Sequence, residues 1–358
     1  MANITAAMVK ELREISGAGM MDCKKALTEC DGNMDAALEA LKKSGAAKME
    51  KKASRIAAEG ICRVAVDGNK GVVAEVNSET DFVAKNEVFQ EFVQDVANKA
   101  LASGLNGGKN GEDVETLMEN GLKDEIAEKT LKIGEKLSFR RFAKVEADTV
   151  VSYIHGGGKI GVLVAANGAT DDAAKEALAN IAMQIAAMNP QYVARNEISD
   201  AELAKIREIT VDSALNDPAS LPKPIQNELY AKVEGEKLFS DEDLAILAEK
   251  KNDKYLYNFL SKEAIAKLAE LAMANKAAYV ENKIFAGLVE GRVSKQLKDL
   301  VLMDQTYVKA EDGKQAVAKY LESVNKALVV AKFVRFEVGE GMEKKNEDFA
   351  AEVAAQLG

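Results

Sequence analysis

The chain repeats part of itself. Gly71-Val72-Val73-Ala74-Glu75-Val76-Asn77 aligns with Gly161-Val162-Leu163-Val164-Ala165-Ala166-Asn167, and the register continues so that Thr80-Asp81 falls opposite Thr170-Asp171. Each copy follows a β run and a glycine-rich turn, Asp67 to Gly71 in one and His155 to Gly158 in the other. Each is followed by a helical pattern, about 85 to 103 and about 171 to 188. Each half then closes on another β run, Leu137 to Val145 and Leu328 to Phe336. Asp, Gly and Asn between β-branched runs mark a hairpin. Period-2 alternation through Phe333-Val334-Arg335-Phe336-Glu337 marks a strand. Two similar units are expected, each a small antiparallel sheet with helices on one face, so the fold class is α+β.

Other segments frame this duplicated core. Residues 1–45 read as three short helices, with Thr5 capping the first and Met8, Val9, Leu12 and Ile15 forming its apolar stripe. Gly17-Ala18-Gly19 stops that helix, and the third places Met34, Ala37, Leu38 and Leu41 on one side. Residues 46–58 fall in a Lys- and Ala-rich stretch that reads as a linker. The first core subdomain spans 59–146, and the second is discontinuous, 147–195 and 290–338. Between them, 196–289 is helical in pattern and rich in Ala, which suits an inserted, coiled-coil-like arm. The alternative is one more buried helical layer. Residues 339–358 form a polar, acidic C-terminal module ending in a helix from Asp348 to Leu357.

Bulk properties narrow the function classes. The 358 residues suffice for two or more domains with a real core. A formal charge of −10 disfavours a broad nucleic-acid surface. No apolar run reaches the roughly 20 residues of a membrane helix, and the N-terminus lacks a signal-peptide pattern. Cys23, Cys30 and Cys62 form no Cys-x-x-Cys pair, which suits reduced thiols in a cytoplasmic protein.

A search for catalytic chemistry returns little. His155 is the single histidine, so no His-based metal cluster can form, and none is expected. His155-Gly156-Gly157-Gly158-Lys159 departs from a phosphate-binding loop, which needs Gly where Tyr153 stands and Ser or Thr where Ile160 stands. Gly107-Gly108-Lys109-Asn110 fails in the same way. No carboxylate pair sits in an apolar setting suited to acid–base work. The expectation is a binding protein, not an enzyme, with no cofactor.

Phe82 is the sharpest binding candidate. It follows Thr80, a helix N-cap residue, and Asp81. The second copy carries Asp172 where the first carries Phe82, so the shared fold tolerates a polar residue there. Phe82 either packs against Phe89 or Phe92, or is offered to a partner as an aromatic anchor.

Four separated motifs carry a family resemblance. Thr80-Asp81-Phe82-Val83-Ala84-Lys85-Asn86 resembles a signature of bacterial elongation factor Ts, as does Gly17-Ala18-Gly19-Met20-Met21-Asp22-Cys23-Lys24-Lys25-Ala26-Leu27. Val334 to Gly341 and His155-Gly156 ahead of Ile160 to Val164 are similar to the same family. The stretch from about 215 to 290 looks longer than the family's usual module. The resemblance implies a guanine-nucleotide exchange factor for elongation factor Tu, acting in translation elongation in the cytoplasm. It implies a ubiquitin-associated-like N-terminal domain whose Met20 and Met21 dock on the partner. It implies that Thr80, Asp81, Phe82 and Val83 disturb the partner's magnesium site, with Phe82 as a wedge. Ile133, Gly134 and His155 are implied as further contacts. Elongation factor Tu would be bound both with GDP and free of nucleotide, without direct nucleic-acid or membrane contact. A homodimer or 2:2 complex through the arm is a further implication. The competing class is a polypeptide-binding adaptor or holdase without exchange activity.

Overall fold

A computed structural model describes residues 4–343; the expected terminal helix at 348–357, and most of the module from 339, lie outside the described residues. Two of the three N-terminal helices start at a side-chain cap. Thr5 Oγ1 accepts from the Met8 amide and starts α1 (Ala6–Ser16), and Gly17, at φ +66°, ends it. Helix α2 (Met20–Glu29) follows, then Asn33 Oδ1 accepts from Ala36 and starts α3 (Met34–Lys52). Val9, Leu12, Cys23, Leu27, Ala37 and Leu41 are their shared core. Ile15 was expected in the buried stripe, but it is 61% exposed. It sits in the last turn of α1, at the edge of that core. It lines a cleft of about 540 Å³ with Leu38 and Leu41 instead.

The first sheet has the order β1 (Glu59–Asp67), β2 (Lys70–Ser78), β3 (Ser138–Glu146), all antiparallel. Gly68, at φ +56°, makes the tight β1–β2 turn, a backbone conformation glycine adopts without strain. Between β2 and β3 lie α4 (Asp81–Ala84), α5 (Glu87–Ala102), α6 (Val114–Leu117) and α7 (Lys123–Ile133). Helix α5 buries Phe89, Phe92, Val93 and Val96 against Val72, Ala74 and Val76 of β2. Each such side chain contributes about 1.5–3 kcal/mol when fully buried. Helix α3 runs on through Lys52 because it packs on α7. Gly45 meets the Ala127 carbonyl so closely that a Cβ there would stand 3.0 Å away.

The second half begins with β4 (Thr149–His155), β5 (Ile160–Asn167) and α8 (Asp172–Met188). An insert follows, with α9 (Asp200–Leu215), α10 (Lys223–Glu236), α11 (Asp241–Lys250), α12 (Lys262–Ala274), α13 (Lys276–Glu281) and α14 (Lys283–Leu300). The chain returns as α15 (Val317–Val324) and β6 (Val329–Glu337), completing a sheet of order β4-β5-β6. The duplication extends to irregularities: the register shifts between Glu75 and Val76 in one copy and between the matching Ala165 and Ala166 in the other.

The two sheets pack face to face through Cys62, Val73, Val145, Val150, Leu163 and Phe336. Their outer faces carry α5 and α8. The close approach needs glycine at one matched position. A Cβ on Gly71 would stand 2.7 Å from Val150 Cγ1 and 3.1 Å from Leu163 Cδ2, and one on Gly161 would stand 2.8 Å from Val73 Cγ2.

Residues Pro190–Thr306 form a second compact unit. It has its own core, including Leu229, Tyr230, Leu268, Phe285 and Val293. Asp243 organises its helix starts. Its carboxylate accepts from the Ser240 and Ser261 hydroxyls at 2.8 Å each and from the Ser261 amide at 2.9 Å. The insert is thus a helical bundle, and the apolar stripe of α14 belongs to it.

Candidate functional site: the Thr80–Val83 helix and its neighbours

Helix α4 is a single turn of four residues. Thr80 caps it, its Oγ1 accepting from the Val83 amide at 3.5 Å. Val83 faces inward and is buried, while Phe82 is 80% exposed. Phe89 and Phe92 are filled into the sheet-side core without it. Of the two readings of Phe82, packing against those rings is therefore the one the structure does not adopt. Leaving a phenylalanine in water forgoes about 1.5–3 kcal/mol of burial.

Asp81 pairs with Lys85 one turn later, Nζ to Oδ2 at 2.6 Å. The Lys85 hydrogen bond holds the Asp81 carboxyl below its ordinary value, and Lys159 adds a weaker pull in the same direction.

The segment after α7 sits against this helix. Gly134, at φ +85°, caps α7 in the left-handed conformation, and its amide donates to Thr130 O at 2.9 Å. The next residue, Glu135, accepts from the Thr80 amide at 3.0 Å and from the Thr80 hydroxyl at 2.7 Å. The exchange is mutual, since Glu79 accepts from the Lys136 amide at 2.6 Å. Arg55 holds Glu79 at 3.2 Å, and Lys52 Nζ donates to Gly134 O. Ile133 is half-buried against the core beneath α5.

His155 belongs to the second half but reaches the same neighbourhood through its turn. It is exposed at the end of β4, with its Nδ1 3.0 Å from the Tyr153 hydroxyl. The turn after it, Gly156–Gly158, lies inside the β4–β5 hairpin, as its sequence context predicts. Arg63 of β1 donates to Gly157 O at 3.4 Å and to Gln90 Oε1 at 3.0 Å. Gln90 Nε2 in turn donates to Ala84 O, at the end of α4, at 3.2 Å. Burial lowers the pKa of the Arg63 guanidinium.

Met20 and Met21 open α2, 59% and 76% exposed. Gly17, just ahead of them, lies over the side chain of Lys132 at the end of α7. The end of α7 and the segment after it thus approach both places, Lys132 lying at Gly17 and Glu135 bonding Thr80. The partners that build this arrangement, Glu135, Glu79, Gln90 and Arg63, are not visible in sequence. Among 58 acidic and 48 basic residues, nothing marks these as different.

The centre of the fold is tied by a buried charge cluster. Glu75 is fully buried and accepts from Arg140 at 2.9 Å, Arg141 at 2.6 Å and the Gly339 amide at 2.9 Å. Arg141 also stacks over Phe336, 4.2 Å from the ring centroid, and reaches Glu340 at 3.2 Å. This explains the run Arg335 to Gly341 as a structural seam. Among the described residues no cluster of His, Cys, Asp and Glu could hold a metal ion, and no helix is long and apolar enough to cross a membrane.

The comparisons with known proteins place this duplicated sheet core with its three-helix N-terminal domain in a class, the translation elongation factors. The chain belongs to the elongation factor Ts family, whose model, described as elongation factor TS, matches residues 79–238 and 243–340. It is 41% identical to elongation factor Ts of Clostridioides difficile (strain 630), with 100% of each chain covered.

Proposed function

We propose that this chain is a guanine-nucleotide exchange factor, which binds elongation factor Tu·GDP and promotes GDP release by disturbing its magnesium and phosphate contacts. The observation that carries the reading is Phe82, held out to solvent within Thr80–Val83. Tight nucleotide binding by a GTPase rests on phosphate contacts and a bridging Mg²⁺. An exchange factor need not touch the nucleotide. It must bind better to the partner state in which those contacts are broken, and nucleotide must then weaken its binding by the same free energy. A wedge aromatic that finds a pocket only in the distorted partner supplies that difference. Asp81, already paired with Lys85, acts on the surroundings of the partner's ion and is no ligand here. Met20, Met21, Ile133, Gly134 and His155 are the further contacts in this reading, and the insert is the element for self-association or partner binding.

The test is the release rate of a fluorescent GDP analogue from elongation factor Tu, with and without the protein and its Phe82→Ala variant. Strong acceleration by the wild type and little by the variant is expected. No acceleration by the wild type would leave the adaptor reading, for which the exposed Ile15, Met20 and Met21 offer an apolar surface.

A further inference from the structure

A single helical turn does not hold itself together. Helix nucleation fixes several residues for one hydrogen bond and is unfavourable in isolation. Helix α4 has four residues, and its outward side chain, Phe82, gains nothing from the core. Polar contacts secure it at both ends. At its start, the Glu135 carboxylate takes both the amide and the hydroxyl of Thr80, at 3.0 and 2.7 Å. At its end, Gln90 takes hold of Ala84 O and is itself held by Arg63, which also grips Gly157 O.

The duplication supplies an internal control. In the second copy the helix runs without interruption from Asp172 to Met188, and Asp171 caps it alone. In the first copy the same stretch is split: α4 ends at Ala84, and Asn86 starts α5 with a cap of its own. The break after the turn carrying Phe82, and the Glu135 hold on Thr80, therefore set the first copy apart from the second.

We propose that Glu135 and the Gln90–Arg63 pair are positioning residues: a two-ended polar clamp that fixes the direction in which Phe82 is presented. The proposal rests on the exchange reading of Phe82. The clamp also joins three segments of that reading mechanically. Glu135 is one residue from Gly134, and Arg63 bonds the turn that follows His155. Pressure of a partner on either segment reaches the wedge through a carboxylate or a guanidinium, not through loose loop.

The experiment is a double-mutant cycle on GDP-analogue release from elongation factor Tu. Glu135→Ala, Glu135→Gln and Gln90→Ala are each made in the wild type and in Phe82→Ala. In the wild-type background, Glu135→Ala is expected to lower the maximal release rate roughly tenfold, the scale of one or two charge-assisted hydrogen bonds, at an unchanged half-saturating concentration. In the Phe82→Ala background it should cause no further loss. Glu135→Gln keeps one acceptor oxygen and should fall between; it also carries the test should Glu135→Ala fail to fold. Equal losses in both backgrounds, or no loss in either, would overturn the clamp. A wild type that does not accelerate release would instead overturn the exchange reading, and the clamp's role with it.

Discussion

Phe82 and Asp81 are neighbours with opposite dependence on their surroundings. Phe82 touches no core, so Phe82→Ala should change folding stability by no more than about 0.5 kcal/mol. Chemical denaturation of the two proteins checks this, and a loss of several times that size would mean the ring is buried in solution. Asp81 depends on Lys85. A carboxyl held below its ordinary value of 3.8 contributes stability that is present above that value and lost as pH falls through the lower folded value. Acidification from neutrality to pH 5 should therefore leave the pair intact. A carboxyl-carbon NMR titration of Asp81 is expected to show a midpoint under 3.8. The motif Thr80 to Asn86 and the choice for Phe82 were legible in the sequence. Which alternative holds was not, because exposure depends on whether distant side chains fill the core first. Phe89 and Phe92 do so from the adjoining helix.

At the scale of elements, the alignment of the two copies foretold strands and helices well, because turns, caps and alternation are local signals. Strand Glu59–Asp67, the hairpin glycine and the closing strands at 138–146 and 329–337 stand where those signals put them. The mutual packing of the sheets was not legible, since two faces of β-branched residues do not announce their partner. Its geometry makes a sharp expectation. Gly161→Ala would push a methyl to 2.8 Å from Val73 Cγ2 and 2.9 Å from Cys62 Cβ, and should cost about 1–3 kcal/mol by overpacking. Gly291→Ala on α14, which would meet nothing within 4 Å, should instead gain about 0.4–1 kcal/mol by restricting the unfolded chain. Urea denaturation of both variants reads the contrast, and similar costs would mean that the inter-sheet contact is looser than described.

At the scale of the molecule, the chain divides into two compact units, one made of the residues up to Asn189 with those from Tyr307 on, the other of Pro190–Thr306. The first is closed around the insertion point, for Gln184 Oε1 accepts from the Val308 amide at 2.8 Å. Replacing Pro190–Thr306 by a short Gly/Ser linker should therefore leave a folded, cooperatively melting remainder, measured by circular dichroism. An insoluble or non-cooperative product would show that the insert is needed to complete the core. The Ala-rich pattern from about 196 to 289 marked this region as helical. It did not show that α14 packs with the insert, because an amphipathic stripe specifies a buried face without naming its neighbour.

The sequence by itself determined the duplicated α+β halves, the three N-terminal helices, the family and the segment that carries Phe82. The halves and helices follow from short-range rules of periodicity, capping and turn chemistry, written within a few residues of where they act, and the family from the resemblance of four motifs. The tertiary structure alone decided that the halves meet face to face and that α3 continues onto α7. It also decided that a four-residue helix is gripped by Glu135 from one side and by Gln90 and Arg63 from the other. Those are pairings across long stretches of chain. In a sequence they are ordinary charged and polar residues, and only the packed backbone brings them within hydrogen-bond reach.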